Sequence, residues 1–166
     1  AENRRSTSVK RRAFQQLHKS GCFLIPNPWD VGTARYLQSL GFKALATTSS
    51  GFGWSKGRPD AAKPRDMALA HLDEIVSATD LPVNADFEDG FAHDAAGVAE
   101  SVRLAVDIGV AGLSIEDATG DAARPLYDLG AAVERIRAAR RSIDKAGGDA
   151  LLVGRAECFL VGRPDL

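Results

Sequence analysis

Short apolar runs alternate with amphipathic helical patterns along the chain, and this alternation restricts the fold more than any other feature. Apolar, partly β-branched runs of this kind are typical of buried parallel strands. They predict strands over Cys22–Pro26, Ala44–Thr48, Pro82–Asp86, Ala111–Glu116 and Ala150–Ala156. The intervening patterns predict an amphipathic opening helix over Val9–Lys19 and helices over Val31–Leu40, Arg65–Thr79, Asp94–Ile108 and Leu129–Lys145. The repeated strand–helix order predicts an α/β fold with a parallel sheet.

Two architectures have this order: a doubly wound sheet and the first part of a (β/α)8 TIM barrel. A complete barrel typically takes about 250 residues, whereas this chain has 166. No linker or low-complexity tract divides the sequence, so we expect a single domain over residues 1–166, with a lead-in and helix over 1–20. As a barrel, this domain would be incomplete and would hold about the first five βα units.

Helix boundaries and faces follow from single residues. Asp30 and Asp94 stand where N-caps belong, and Gly41 and Gly109 stand where C-caps belong. In the last predicted helix an apolar stripe recurs at three- and four-residue steps and should pack on the sheet, through Ala132, Ile136, Ala139 and Ile143. Four arginines of that helix are expected to stay in solvent: Arg135, Arg137, Arg140 and Arg141.

Composition excludes several classes of protein. With 45% hydrophobic residues, 26% charged residues and a formal net charge of −1, the chain is typical of a soluble globular protein and not of a disordered or fibrous one. No apolar run approaches the roughly 20 residues of a membrane span, and no signal peptide is evident, so we expect a cytoplasmic protein without a membrane partner. The basic N-terminal residues predict a solvated lead-in and not a nucleic-acid arm, at Arg4, Arg5, Lys10, Arg11 and Arg12.

The two cysteines and three histidines are given no chemical role. Cys22 and Cys158 lie far apart without metal-ligand spacing, so both are expected to be small buried residues. The histidines show no paired spacing either, and surface or helix positions explain them.

Acidic side chains follow two of the predicted strands where each strand ends. Asp86 and Glu88 follow one strand, and Glu116 and Asp117 follow the next. Because the carboxyl ends of parallel strands share one edge, these groups should converge, and a divalent cation is the simplest counter-charge. Mg²⁺ prefers oxygen ligands and keeps several waters, so it suits this set, and Mn²⁺ would accept the same ligands. Taken singly, Glu88, Asp89 and Asp117 are better explained as solvated loop acids than as ligands, and their placement at strand ends favours the metal site.

Two further strand ends carry candidate binding groups. Arg155 lies inside an apolar run, so it needs an anionic partner, either a substrate carboxylate or a structural ion pair with Glu157 or Asp86. The segment TTSSGFGWSKGRPD (47–60) has glycines at 51, 53 and 57 and is expected to form a tight loop with N–H groups exposed toward an anion. It matches neither the dinucleotide fingerprint nor the P-loop consensus.

Five segments in this order resemble successive strand-end motifs of the isocitrate lyase / phosphoenolpyruvate mutase superfamily. They are PNPWD (26–30), TTSSGFGWSKGRPD (47–60), NADFEDGF (84–91), GLSIEDATG (112–120) and VGRAE (153–157). The resemblance runs from about Phe23 to Leu166. It implies a (β/α)8 barrel that binds Mg²⁺ and acts on a small 2-oxo or 2-hydroxy carboxylate. It also implies a homo-oligomer, a dimer or tetramer with a helix swapped between subunits.

The resemblance assigns roles residue by residue. Asp86 matches the aspartate that binds the metal directly, and Glu88 and Glu116 match acids that reach it through water. Asp60 matches a catalytic acid near the substrate, and Arg155 matches the arginine that pairs with substrate or intermediate. The substrate pocket is matched by Trp29 as an aromatic wall and by Ser50 and Gly51 as the loop whose amides hold the oxo acid.

The chain departs from the superfamily pattern at one loop and at one acid of another segment, Glu88. After the predicted strand Ala111–Glu116 it reads EDATGDAARPLYDL, without the cysteine of isocitrate and methylisocitrate lyases. The lysine and asparagine of the mutases and phosphonopyruvate hydrolases are absent there too, and Glu88 replaces the more usual aspartate. Two hypotheses follow: a Mg²⁺-dependent enzyme that breaks or rearranges a C–C or C–P bond, and a non-catalytic homologue that binds metal and oxo acid.

Overall fold

Four parallel strands form one sheet in the order β1-β2-β3-β4. The computed structural model describes residues 6–60 and 63–164. Its strands are β1 (Leu45–Ala46), β2 (Val83–Asp86), β3 (Gly112–Glu116) and β4 (Leu151–Arg155). Each strand lies beside the next one in sequence, which is the strand order of a (β/α)8 barrel and not that of a doubly wound sheet.

The described residues also form six helices. These are α1 (Thr7–Leu17), α2 (Val31–Ser39), α3 (Ser49–Ser55), α4 (Arg65–Ala78), α5 (Ala95–Ile108) and α6 (Leu129–Lys145). The predicted caps are confirmed at three positions. Asp30 forms a capping box with Thr33, Asp94 accepts the N–H of Gly97, and Gly109 adopts a φ of 103° after α5.

The strand expected over Cys22–Pro26 is wrong for the described residues. This segment is irregular, and it is linked to β1 by a hydrogen bond from the Ala46 N–H to the Pro26 carbonyl, at 3.1 Å. In a parallel ladder the next bond would run from the N–H of residue 28 to the Ala46 carbonyl, but Pro28 has no N–H, and the Asn27 side chain donates to that carbonyl instead, at 3.0 Å. The apolar residues of this segment predicted a strand, but they do not show whether its backbone can donate the hydrogen bonds of a sheet.

The tight loop expected within residues 47–60 is replaced in part by helix α3. Thr48 caps this helix, because its hydroxyl accepts the N–H of Gly51 at 3.2 Å. The cap ends the extended backbone early, so β1 is shorter than the predicted strand Ala44–Thr48. Glycines at 51 and 53 suggested a loop, but here they allow close packing inside a short helix.

The main core lies between the sheet and the helices α4, α5 and α6. Alternate strand residues face these helices and are fully buried, among them Val83, Ala85, Leu113 and Ile115. The side chains between them point to the opposite face of the sheet. This period of two sends Asp86 and Glu116 to the face away from the helices.

Helix α1 packs below the sheet through Phe14, which contacts Ala44 and Ala111 near the starts of two strands. The predicted solvated lead-in is wrong at Lys10 and Arg11, which are both buried; Arg12 is exposed, and Arg4 and Arg5 lie outside the described residues.

Both buried cations hold carbonyl groups at the ends of helices. Lys10 Nζ donates to the carbonyls of Val76 and Thr79 at 3.1 and 2.6 Å, at the C-terminus of α4. Helix C-termini carry unpaired carbonyls and a partial negative charge, so a cation is favourable there.

Arg11 does the same for α5. Its guanidinium donates to the carbonyls of Val106 at 2.7 Å and Val110 at 2.9 Å, and it pairs with Asp149 at 2.8 Å. Lys10 and Arg11 of the basic run therefore connect α1 to the C-terminal ends of α4 and α5.

Arg135 and Cys22 also depart from expectation. Arg135 is only 3% exposed, because its guanidinium donates to the carbonyls of Asp89, Ala92 and His93. Cys22 is exposed, whereas Cys158 is buried as expected. Among the residues described, no helix is both long enough and apolar enough to cross a membrane.

We predict that Arg11→Met lowers the free energy of unfolding of the full-length protein by about 2–3 kcal/mol, because it leaves buried carbonyls and Asp149 without their donor. Chemical denaturation with urea measures this. The matched control is Arg12→Met, which changes an exposed arginine next in sequence. Equal free energies of unfolding of the two variants would show that the Arg11 contacts contribute nothing to stability.

Candidate active site

A cavity of about 390 Å3 opens at the carboxyl ends of the strands. Six of the sequence-predicted residues line it: Ser50, Asp60, Asp86, Glu88, Glu116 and Arg155. They come from four separate segments, and the parallel strands bring them to one edge. The structure therefore gathers most of the predicted site in one place.

Arg155 lies at the centre of the acidic groups. Its Nη1 is 3.0 Å from Asp86 Oδ1 and 2.7 Å from Glu116 Oε1, and its Nη2 is 2.8 Å from Glu157 Oε1. Glu116 and Arg155 are also register partners of β3 and β4. The structural ion pairs proposed for Arg155 are thus present, with Glu116 added, and the Arg155 side chain lines the cavity and is 39% exposed.

Asp86 and Glu116 differ in their surroundings. Asp86 accepts the N–H of Ser49 through Oδ2 at 2.8 Å, in addition to its pair with Arg155. Burial raises the pKa of Glu116 to about 7, although Arg155 acts in the opposite direction, and neighbouring Asp86 and Glu157 raise it further. A carboxyl in such surroundings can hold or release a proton near neutral pH.

Glu88 also lines the cavity, and it lies beside a lysine that sequence reasoning missed. Lys63 Nζ is 3.3 Å from Glu88 Oε1 and 3.5 Å from Asp60 Oδ1, and its side chain is 1% exposed. Burial raises the pKa of Glu88, and Lys63 partly offsets this. Glu88 also has a φ of 49°, a conformation that non-glycine residues seldom adopt. No motif or spacing in the sequence marks Lys63, so its contacts with Glu88 and Asp60 could not be predicted from it.

The predicted substrate-binding loop is near the cavity but partly turned away from it. Ser50 lines the cavity, whereas Gly51 and Trp29 are not part of the lining. The Gly51 N–H is bonded to Thr48, and a Cβ on Gly51 would lie 2.5 Å from the Trp29 ring. Trp29 therefore covers the back of α3, and it contacts Trp54 edge to face. The roles assigned to Trp29, Ser50 and Gly51 stay predictions.

The loop after β3 is folded on itself. Ala118 and Leu126 form an antiparallel bridge, the Thr119 hydroxyl donates to the Arg124 carbonyl, and Asp121 accepts the N–H of Ala123. Its polar side chains at 119 and 121 thus bind within the loop.

The donor set can be tested against Mg²⁺. Among residues 6–60 and 63–164, no three His, Cys, Asp or Glu side chains are grouped tightly enough to bind a metal by themselves. Mg²⁺ commonly takes one or two carboxylates and keeps its waters, and Asp86 and Glu116 converge on one guanidinium and both line the cavity. These residues therefore fit a largely hydrated Mg²⁺.

A parallel barrel-type sheet with converging carboxylates and an arginine at its carboxyl edge defines a class of α/β barrel with an acidic strand-end site. Residues 14–166 match the family described as phosphoenolpyruvate phosphomutase. The chain belongs to this family, within the isocitrate lyase / phosphoenolpyruvate mutase superfamily, and its fold corresponds to part of the superfamily's TIM barrel.

Individual relatives agree with this placement. An uncharacterized protein of Mycobacterium tuberculosis (strain ATCC 25618 / H37Rv) is 32% identical over 130 residues, which are 78% of this chain and 48% of that protein. A structure from Burkholderia cenocepacia J2315, provisionally described as a lyase/mutase, is 49% identical with a TM-score of 0.94, covering 96% of this chain and 58% of that one. Oxaloacetate acetylhydrolase, in complex with the product oxalate, is 27% identical with a TM-score of 0.82, covering 93% and 55%. The chain spans about half the length of the curated relatives it matches.

One buried histidine behind the site makes stability depend on pH. His71 stacks on Phe52 with ring centroids 3.8 Å apart, and burial together with Lys56 lowers its pKa from 6.5 to about 4. The unfolded chain therefore binds more protons than the folded one between these pH values, so stability is lost as the pH falls through this window.

We predict that His71→Phe removes this loss, because it keeps the stacking and cannot be protonated. Relative to the variant, the wild-type free energy of unfolding should fall by up to about 3 kcal/mol between pH 6.5 and pH 4. Urea denaturation at several pH values measures it. His71→Gln separates charge from stacking, and parallel curves for wild type and both variants would contradict the assignment.

Proposed function

We propose that this chain is part of a Mg²⁺-dependent enzyme that breaks or rearranges a C–C or C–P bond in a small 2-oxo or 2-hydroxy carboxylate. The observation that supports it most is the convergence of Asp86, Glu116 and Arg155 at one edge of the sheet. Family membership supports the same class of chemistry.

The proposal gives each group a task. Asp86 would hold the metal directly, and Glu88 and Glu116 would hold it through water. A bound Mg²⁺ would supply positive charge that offsets the negative charge developing on the oxo acid.

Arg155 and the α3 segment would bind the organic anion. Arg155 would bind the carboxylate of the oxo acid, since guanidinium and carboxylate match in geometry. Ser50 would contact the oxo-acid end from the cavity lining, and Gly51 and Trp29, which lie outside that lining, would support it from behind. Asp60, which is exposed at the rim and lies 3.4 Å from the Ser49 hydroxyl, would face the substrate as an acid.

A second candidate function is binding without catalysis. The loop after β3 lacks the cysteine, lysine and asparagine of its relatives, and its hydroxyl and carboxylate groups at 119 and 121 already bind within the loop. Such a protein would keep metal and oxo-acid affinity but form no product. Tight binding without turnover across a panel of oxo and hydroxy acids would favour this function.

We predict that oxalate binds the full-length protein only when Mg²⁺ is present, and that Asp86→Ala removes both Mg²⁺ and oxalate binding. Oxalate is a planar oxo-acid mimic, and it is the product bound to one relative. Isothermal titration calorimetry measures both ligands.

Two further variants sharpen this test. Asp86→Asn keeps an acceptor for the Ser49 N–H and so separates charge from folding. The matched control is Asp66→Ala, an exposed acid of α4. Wild-type affinity in folded Asp86→Ala protein, or no binding by folded wild type, would refute the proposal.

We also propose that the full-length protein is a cytoplasmic homo-oligomer, as the family resemblance implies. We predict a dimer or tetramer in size-exclusion chromatography with light scattering at micromolar concentration. A monomer over the whole concentration range would contradict this part of the proposal.

A further inference from the structure

Glu157 is a buried acid that pairs with Arg155 from outside the cavity lining. Its side chain is 9% exposed, and its Oε1 accepts from Arg155 Nη2 at 2.8 Å. Asp86 and Glu116 accept from Nη1 instead. The guanidinium is therefore held from two ends by acids on three different segments.

Glu157 is itself fixed by the neighbouring strand. Asp117 donates its N–H to the Arg155 carbonyl at 3.2 Å, and the Asp117 carboxylate accepts the Glu157 N–H at 2.8 Å. The last register pair of these strands is Glu116 and Arg155, so a side-chain oxygen continues the hydrogen bonding past the end of the ladder. The backbone of Glu157 is thus braced against β3.

Arg155 needs such support if it is to bind an anion. An arginine side chain has many rotamers, and holding it in one of them costs conformational entropy at the moment of binding. Asp86 and Glu116 together draw Nη1 toward one side of the cavity. An acid that holds Nη2 on the other side keeps the guanidinium at a fixed angle before the ligand arrives.

We infer that Glu157, braced by Asp117, is a positioning residue that holds Arg155 at the angle at which it binds the carboxylate of the oxo acid. The inference rests on the proposed function, in which Arg155 binds that carboxylate. It adds two residues to the site and gives the loop after β3 a structural task.

Positioning and simple electrostatics predict opposite results for this residue. Removing a carboxylate from an acidic site should strengthen the binding of an anion, by Coulomb attraction alone. If Glu157 acts by positioning Arg155, its removal should weaken the binding of the anion. Only Asp86 and Glu116 would then hold the guanidinium, and they hold it through Nη1 alone. The sign of the change therefore separates the two explanations.

The test is the Kd of oxalate in the full-length protein at saturating Mg²⁺, measured by isothermal titration calorimetry. Glu157→Ala should weaken oxalate binding about tenfold, the size expected for one charge-assisted hydrogen bond. Glu157→Gln keeps an oxygen acceptor and should weaken it less. It also tests the inference if the alanine variant does not fold.

A double-mutant cycle shows whether Glu157 acts through Arg155. Arg155→Met should weaken oxalate binding by itself, and adding Glu157→Ala should cause no further loss. The matched control is Glu100→Gln, since Glu100 Oε1 pairs with Arg103 Nη2 at the same 2.8 Å on the exposed face of α5. This control should bind oxalate as the wild type does.

The outcomes separate the inference from the proposed function. If folded wild type does not bind oxalate with Mg²⁺, the proposed function fails and the positioning role falls with it. If wild type binds but Glu157→Ala and Glu157→Gln bind as tightly or more tightly, only the positioning role is overturned. Additive losses in the double variant overturn it as well, because Glu157 would then act independently of Arg155.

Discussion

The site depends on balancing several carboxylates that lie close together at one sheet edge. Asp86, Glu116 and Glu157 share one guanidinium, and Glu88 shares one ammonium with Asp60. Without Arg155 and Lys63 these acids would repel one another, and several would be driven to take up protons. The two cations therefore allow a strongly acidic cavity to exist in a folded protein.

The same need for counter-charge shapes the opposite end of the barrel segment. There the partial negative charges are helix carbonyls, and Lys10 and Arg11 of α1 bind them. Lys10 and Arg11 can be buried because each donates to two carbonyls. The candidate site lies at one end of the strands, and α1 packs at the other end.

Predictions from local pattern were confirmed where neighbouring residues determine the outcome. The helices over residues 95–108 and 129–145 and the caps at Asp30 and Asp94 follow from periodicity and side-chain hydrogen bonding within a few positions. The strand predicted over Cys22–Pro26 was wrong because strand formation needs a partner with matching donors and acceptors. The prediction that Arg135 stays in solvent was wrong because its hydrogen-bond partners are carbonyls about forty residues away in sequence.

The sequence by itself determined the strand–helix order, the position of acids after strands and the family resemblance, because these follow from periodicity and from motifs read in order. Only the tertiary structure decided which charges meet. It paired Arg155 with Glu116 as well as with Asp86 and Glu157, placed Lys63 beside Glu88, and turned Trp29 onto Gly51. These contacts join residues that are distant in sequence, and their distances depend on strand register and helix packing, which local patterns do not specify.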